Sequence, residues 1–345
     1  MGAINVDNTG SGGAITLSSD GTTLLLGGSA VGGADLYVAN ESSPDAQPTA
    51  TGANAIAIGD SAAAPGAQSV AIGRLTDSDG TLSAALGFSA TTGSSGSYAV
   101  VLGRAYSNNV DGFAAAITNN TSSYGATGPN SVAIGQGAKA TGTQSVAIGG
   151  QSPTSSSSSS VVIGGYASQA TDQQAICIGG LYSLASAYDS LAMGSYAKAA
   201  HVGKAARASG QFAAQGDAQG GQFILRENTT DATPSVMATN QYTAGSTNQI
   251  IAASDTCITF SGTVVAMQNG AQAYGSWKIE GLLVNDGGTT TVPNSAITVI
   301  HNSSSWGLAL SADNTNNALK VQVTGEASHN IRWVANIQTA EVTYA

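Results

Sequence analysis

The sequence predicts an all-β protein built around a β-solenoid, and three observations support this prediction. Glycine supplies 45 of the 345 residues and only 9% are charged, so the chain lacks the Lys, Glu and Arg that cover surface helices. A four-residue apolar motif recurs through the middle of the chain. Longer runs that alternate apolar and polar residues follow it, which is typical of antiparallel sheets.

Composition and charge exclude several other classes of protein. A hydrophobic content of 42% argues against disorder, and apolar runs of three or four residues are too short to span a bilayer. The formal net charge is −10 with no basic patch, so nucleic-acid binding is not expected. The first thirty residues show no basic start followed by an apolar block, so no secretory signal is predicted.

Residues 1–50 are predicted to form a small N-terminal β cap. Short apolar runs lie at 15–17, 24–26 and 36–38, with Gly-Gly and Asp-Gly turns between them. Residues 44–48 contain two prolines and are predicted to link the cap to the next module.

Ten copies of the pattern aliphatic–small–aliphatic–Gly organise residues 51–216. They lie at 56–59, 70–73, 84–87, 100–103, 114–117 (a degenerate copy), 132–135, 146–149, 161–164, 176–179 and 191–194. A period of roughly 14 residues is too short for a strand and a helix, and it suits two short strands per turn. We therefore expect a roll of about ten stacked turns, with the serine run 155–160 and the segment 119–127 as loops that bulge from it.

The second residue of each copy is small and uncharged, whereas the first and third are mostly large aliphatics. Because side chains alternate along a strand, we expect the first and third residues to fill the coil and the second residues to form an outer row. A row without polar residues is typical of a surface packed against another chain. The predicted oligomer interface comprises Ala57, Ala71, Ala85, Val101, Ala115, Ala133, Ala147, Val162, Cys177 and Ala192.

The phrase NSVAIGQGAKATGTQSVAIG at 130–149 resembles the head repeats of trimeric autotransporter adhesins, the YadA-like fold. The resemblance covers about residues 52–216. It implies a left-handed parallel β-roll and a homotrimer in which three rolls pack around a common axis. The chain departs from those adhesins because it shows no sustained heptads of the kind that form their stalk.

The flanks at 4–28, 201–235 and 331–344 resemble tail fibres and other virion appendage proteins of bacteriophages. This resemblance implies a non-enzymatic, structural and adhesive fibre of the virion. Its cap would dock to tail, baseplate or adaptor proteins, and its distal end would bind a host surface glycan or outer-membrane receptor. Two alternatives remain. The first is a fragment of a bacterial cell-surface adhesin, and the second, which is less favoured, is a polysaccharide-depolymerising tailspike.

Residues 217–345 are predicted to form an antiparallel β-sandwich or jelly roll that binds the receptor or locks the trimer. Candidate strands are 222–229, 248–253, 256–268, 274–285, 295–302, 306–312, 318–324 and 330–343. We expect Trp277 and Trp333 in its core. Trp306 follows a polar loop and has the best prospect of exposure among the three tryptophans.

No catalytic, metal or cofactor site is predicted. The three histidines are far apart in the sequence, and the turns at 77–80 and 313–317 lack the full ligand set of a calcium loop. Cys177 and Cys257 are interpreted as buried free thiols. Because aromatic side chains, together with polar groups, recognise sugars, the receptor-binding candidates are Trp306, His301, Tyr106, Tyr124 and Tyr166.

Overall fold

The computed structural model describes residues 46–116, 123–270 and 273–344, together with three short strands nearer the N-terminus. These residues contain strands and turns and no helix, so the described part of the chain is all-β as predicted. In the part of the chain that the structure describes, no helix is long and apolar enough to cross a membrane.

The strands fall into three groups along the chain. The N-terminal group is β1 Leu17–Ser19, β2 Leu24–Leu26 and β3 Ser29–Val31. The roll comprises β4 Ile56–Ile58, β5 Val70–Ile72, β6 Asp77–Ser78, β7 Ala84–Leu86, β8 Thr91–Thr92, β9 Val100–Gly103, β10 Tyr106–Ser107, β11 Phe113–Ala116, β12 Gly125–Ala126, β13 Val132–Gln136, β14 Lys139–Ala140, β15 Val146–Gln151, β16 Thr154–Ser155, β17 Val161–Ile163, β18 Gln169–Ala170, β19 Ile176–Ile178, β20 Leu184–Ala185, β21 Leu191–Ser195, β22 Lys198–Ala199 and β23 Ala205–Ser209. The C-terminal group is β24 Ala218–Thr229, β25 Ser235–Val236, β26 Ile250–Ile251, β27 Thr256–Gln268, β28 Tyr274–Asp286, β29 Thr289–Asn302, β30 Gly307–Asp313, β31 Ala318–Thr324 and β32 Ile331–Thr343.

The three N-terminal strands pair antiparallel in the order β1-β2-β3. Strand β2 coincides with the predicted run at 24–26, and β1 begins at the last residue of the predicted run at 15–17. Strand β3 was not predicted. The run at 36–38 and the start of the linker at 44–48 lie outside the described residues.

Two parallel sheets wind through the roll and make a solenoid of about ten turns. The first sheet contains the repeated motif, and each copy pairs in register with the next, so that Val132 lies beside Val146 and Val146 beside Val161. Among the described residues, the second sheet contains nine two-residue strands, which are the even-numbered strands from β6 to β22. The first sheet ends with β23, a rung not predicted because its sequence AARAS has lost the glycine.

The side-chain direction predicted for the motif is wrong. The second residues point into the coil, where Ala71, Ala85, Val101, Ala133, Ala147, Val162, Cys177 and Ala192 are 0% exposed within a single chain. Ala57, in the first coil, is partly exposed. The degenerate copy begins at Phe113, so its inward residue is Ala114 and not Ala115. The second sheet lies opposite and contributes Ala or small hydroxyl side chains, so a coil this narrow holds only small residues, and the larger first and third residues face outward.

The serine run at 155–160 is an ordinary turn of the roll, which corrects its prediction as a bulging loop. Ser155 pairs in register with Ala140, and Ser160 immediately precedes a motif strand, as Ser145 does. The Ser160 hydroxyl donates to the carbonyl of Ser157 at 2.6 Å and lies 2.7 Å from the Ser155 hydroxyl. Of the other predicted loop, 119–127, Gly125–Ala126 forms β12 and 119–122 lie outside the described residues.

Each turn into a motif strand uses one residue in the left-handed backbone region, two positions before the strand begins. The residues at this position are Asn54, Gln68, Leu82, Tyr98, Asp111, Asn130, Gln144, Ser159, Gln174 and Asp189, with φ between 53° and 60°. Such a conformation is unfavourable for residues with a Cβ, and none of the ten is β-branched. Glycine is required after the strand, since a Cβ on Gly73 (φ +127°) would overlap the Gly87 carbonyl.

The C-terminal module has two antiparallel sheets around one hydrophobic core. The larger sheet runs β29-β28-β27-β32-β24, and β24 pairs antiparallel with β23, so this sheet continues the first sheet of the roll. The smaller sheet contains β25, β26, β30 and β31. Five of the eight predicted strands match these elements to within one residue at each end. Strands β24 and β29 begin four and six residues earlier than predicted, β26 is shorter than predicted, and the two-residue strand β25 was missed. Trp277 and Trp333 are buried in the core as expected, with ring centroids 5.5 Å apart.

Candidate functional site

The first and third residues of the motif strands form a continuous apolar surface on the roll, which we call the outer apolar face. It runs from Ile56 and Ile58 in the first rung to Leu191 and Met193 in the tenth. In these ten rungs every first and third residue is apolar, and all but Phe113 and Met193 are aliphatic. The first charged side chain is Arg207 in the eleventh and last rung. The face is therefore uncharged along almost the whole roll.

Within a single chain these side chains are neither buried nor fully exposed. Ile163 is 47% exposed and Ile178 is 42% exposed, whereas the inward residues of the same rungs, Val162 and Cys177, are 0% exposed. Neighbouring strands lie about 4.8 Å apart, so the eleven rungs extend the face over roughly 50 Å. The apolar interface surface predicted at the second residues of the motif is thus formed by the first and third residues, on the opposite side of the same strands.

The structure places the candidate tyrosines in different surroundings. Tyr166 is 40% exposed and belongs to an aromatic row with Tyr182 and Tyr196, whose ring centroids follow at 5.3 Å and 5.8 Å. Tyr124, directly before β12, is 39% exposed. Tyr106 lies half-buried in β10, where burial and the neighbouring charge of Asp79 raise its pKa. The structure thus brings only Tyr166 into a row with other aromatic rings that are partly exposed.

Of the C-terminal candidates, His301 is accessible and Trp306 is not. Trp306 is 4% exposed, slightly more than the other two tryptophans, but it is buried and packs 5.6 Å from Trp333. The loop before it folds inward, since the Asn302 side chain donates to the Trp306 carbonyl at 3.0 Å. His301 is exposed and stacks on Tyr274, with ring centroids 5.0 Å apart.

A buried ion pair joins the roll to the C-terminal module. Lys204 immediately precedes β23, and serine occupies the equivalent position before several motif strands. The Lys204 carbonyl accepts a hydrogen bond from the Leu191 N–H of the preceding coil, as the carbonyl of such a serine does in other coils. Its Nζ atom lies 2.5 Å from Oε2 of Glu341 in β32. Glu341 also accepts hydrogen bonds from Gln219 at 2.9 Å and from the Thr339 hydroxyl at 2.7 Å.

The electrostatics at this junction follow from burial and from the lysine. Burial disfavours the charged form of Glu341, but the charge of Lys204 and the hydrogen bonds outweigh it and hold its pKa below the ordinary value. Burial, and then the charge of Lys204, lowers the pKa of His201 to about 4. Sequence reasoning missed this site, although a lysine at the serine position of the repeat was a visible signal.

One of the two aspartate-rich turns, at 313–317, is explained by hydrogen bonds within the turn. Asp313 accepts backbone hydrogen bonds from Thr315 and Asn316, which closes the turn between β30 and β31. Burial and the adjacent Asp79 raise the pKa of Asp77 to about 6. Within residues 46–116, 123–270 and 273–344, no group of three or more His, Cys, Asp or Glu side chains could hold a metal ion.

Comparison with known proteins gives a limited set of matches. No curated protein matches the sequence. Among solved structures, the crystal structure of the Acinetobacter baumannii phage AM24 tailspike protein matches with a TM-score of 0.20 and 8% identity, over 84% of this chain and 54% of that chain. The chain thus spans about half the length of that tailspike, and similarity this low supports no conclusion about fold or function.

The sequence match to a known repeat is more informative, because it falls on the roll. The model of the YadA head domain repeat matches two segments, residues 50–76 and 126–152. The first contains β4 and β5, and the second contains β13, β14 and β15. The chain therefore contains adhesin-type YadA head repeats, which form coils of its β-solenoid.

Proposed function

We propose that this chain is a non-enzymatic, homotrimeric fibre on the outside of a phage virion and that it attaches the virion to the host cell surface. The observation that carries the proposal is the outer apolar face. Soluble monomers rarely expose a continuous apolar patch larger than a few hundred Å². A row of half-exposed Ile, Val and Leu side chains over about ten coils is therefore expected to be covered by a partner surface.

Three copies of the same face can provide that cover. Parallel rolls related by a three-fold axis would bring the rows together, and burial of apolar area would drive assembly. The interior of each coil contains only small side chains, so one roll alone buries little large apolar surface. In this proposal the interface between copies is the outer apolar face, and not the row of second residues predicted from the sequence.

The oligomeric state can be tested with a pair of variants in the same part of the roll. The purified chain, at 33.8 kDa per copy, is expected to behave in multi-angle light scattering as a particle of three copies. Ile163→Asp places a charge on the outer apolar face and should yield monomers. Gln169→Asp, in β18 of the second sheet, is the matched control and should remain trimeric. A wild-type chain that is monomeric at micromolar concentration contradicts the proposal.

The virion location is supported by the resemblance of the flanking segments to phage appendage proteins. Under this proposal the N-terminal residues dock to the tail, and the C-terminal module binds the receptor or locks the trimer. A competition experiment tests this. The purified trimer is labelled with a fluorophore to find bacterial strains that it stains, and unlabelled trimer added to those strains before the phage should reduce phage adsorption. Staining without any effect on adsorption would count against a virion role.

A bacterial cell-surface adhesin is the second candidate, and the YadA head repeats at 50–76 and 126–152 favour it. The two candidates predict different locations for the protein. Mass spectrometry of purified virions and of washed cell-surface fractions distinguishes them, because the fibre should occur at a fixed ratio to other virion proteins.

A further inference from the structure

We infer that the C-terminal module carries a binding site for an anionic saccharide on the outer surface of its large sheet. The inference rests on the proposed attachment function and names the ligand class and residues for it. The site is a groove of about 800 Å³ at one end of β24, β27 and β32. Its lining residues include Asn228, Met267, Asn269, Asn330 and Arg332.

The strand register brings the important side chains into one row. Asn228 pairs with Arg332, Arg332 pairs with Met267, and Met267 pairs with Tyr274. Residues that pair directly across antiparallel strands lie on the same surface with Cβ atoms about 5 Å apart. The row thus presents an amide, a guanidinium, an apolar side chain and an aromatic ring in sequence across four strands.

An aromatic pair lies next to the groove, on its β28 side. Tyr274 is 55% exposed and stacks on His301 at 5.0 Å. Its backbone is fixed by Ser303, whose hydroxyl accepts from the Tyr274 N–H and lies 2.8 Å from the Tyr274 carbonyl. An exposed ring held in place can pack against the apolar face of a sugar at a low cost in conformational entropy.

The polar lining suits a hydroxylated ligand that carries negative charge. Three amide side chains, those of Asn228, Asn269 and Asn330, offer both donors and acceptors to sugar hydroxyls. Arg332 adds a guanidinium, which binds a carboxylate or phosphate through two parallel hydrogen bonds. None of the described lining residues is acidic, although acids outnumber bases in residues 217–345. Arg226 on the adjacent row, opposite Val334, adds positive charge to the same surface.

The groove lies away from the proposed interface between rolls. Strand β23 pairs with β24 only through Gly220, Gly221 and Gln222. Asn228 is therefore six residues further along β24, which is roughly 20 Å at 3.3 Å per residue. The groove therefore lies on the sheet surface that continues the outer apolar face, but at the end that is remote from the roll.

The test uses the full-length chain on an array of bacterial surface polysaccharides. Carboxylated polysaccharides are printed beside their carboxyl-reduced forms, and phosphorylated ones beside their dephosphorylated forms, so that the two sources of charge are separated. We expect binding to at least one charged form and at least about ten-fold weaker binding to its neutral partner, since a charge-assisted hydrogen bond is lost.

Variants then locate the site. Arg332→Ala should weaken binding by about ten-fold or more, and Arg332→Lys should recover part of it, because lysine keeps the charge without the paired hydrogen bonds. Tyr274→Ala should weaken binding several-fold. Lys320→Ala and Tyr242→Ala are matched controls in the same module, since they remove a base from β31 and an aromatic side chain that is 75% exposed. Light scattering and thermal melting confirm that each variant is folded and assembled.

The outcomes separate this inference from the proposed function. Three outcomes would overturn the groove as an anionic-saccharide site. They are equal binding by the wild type and Arg332→Ala, equal binding to charged and neutral forms, and no binding to any charged polysaccharide. If the wild-type chain still stains cells and blocks adsorption in those cases, attachment stands and another surface carries it. If it does neither while binding saccharide through Arg332, the groove stands and the attachment role fails.

Discussion

Lys204 and Glu341 form an ion pair of 2.5 Å between residues that are 137 positions apart in the chain, and both side chains are less than a tenth exposed. The pair connects the last coil of the roll to the last strand of the C-terminal module. The Lys204 ammonium also lies 5.6 Å from the Phe223 ring. A lysine at a position that serine fills in other coils thus marks the place where coil stacking ends and the antiparallel sheet begins.

Removal of one partner of this pair should destabilise the protein strongly. Lys204→Met leaves Glu341 buried without its counter-charge, which typically costs about 3–5 kcal/mol. The double variant Lys204→Met/Glu341→Met should recover much of this loss, because neither charge is then buried. Urea denaturation of the wild type, both single variants and the double variant measures the coupling. A Lys204→Met variant as stable as the wild type would show that the pair contributes little.

Acidification should weaken the same junction through His201. Its folded-state pKa of about 4 lies below the usual value near 6.5, so the unfolded chain binds a proton that the folded chain does not between these values. Stability should therefore fall as the pH decreases from 6.5 towards 4, by roughly 2–3 kcal/mol. Unfolding free energies measured across this range should show a smaller slope for His201→Gln. An identical slope in the variant would assign the pH dependence to other groups.

Glu341 should add a second loss at lower pH. Its folded-state pKa is held below the ordinary value of 4.5, so its contribution is complete above that value. The contribution is lost as the pH falls through the folded-state pKa. In Glu341→Gln this acid-dependent loss should be absent, which denaturation curves below pH 4.5 can measure. The same decline in the variant and the wild type would rule out Glu341 as its source.

The left-handed position before each motif strand should tolerate only certain residues. Gln144 has φ of 58°, so Gln144→Val should cost about 1–2 kcal/mol because a β-branched side chain is crowded in this conformation. Gln144→Gly should be neutral or slightly stabilising. Thr143→Val, at the exposed position just before it, is the control and should change stability little. Urea midpoints of the three variants test the prediction, and equal effects at 143 and 144 would contradict it.

The two thiols should differ in reactivity. Cys177 is 0% exposed inside the roll, and burial raises its pKa to about 11, so it stays protonated and inaccessible near pH 8. Cys257 is partly exposed in β27. Iodoacetamide followed by peptide mass spectrometry should label Cys257 in the folded protein and both residues after unfolding. Rapid labelling of Cys177 in the folded protein would mean that the coil opens readily.

Much of the architecture was predictable because its signals are local and repeated. The motif spacing predicted the solenoid and its number of turns, since each copy pairs with the same position of the next, as Val132 does with Val146. Alternating runs predicted β27, β28 and β32 nearly to the residue, and they placed Trp277 and Trp333 in the core. The groove at Arg332 was not predicted, because its residues come from three strands that are distant in sequence.

By itself, the sequence determined that the chain is all-β, where its turns repeat, and which side chains share a surface of each strand. Alternation cannot say which of the two surfaces faces inward, because a period of two is the same for both. Tertiary structure decided that: the coil is narrow enough to exclude Ile163 and to admit only side chains the size of Ala147 or Val162. It also decided the burial of Trp306 and the pairing of Lys204 with Glu341, since both depend on contacts between segments that only the folded chain brings together.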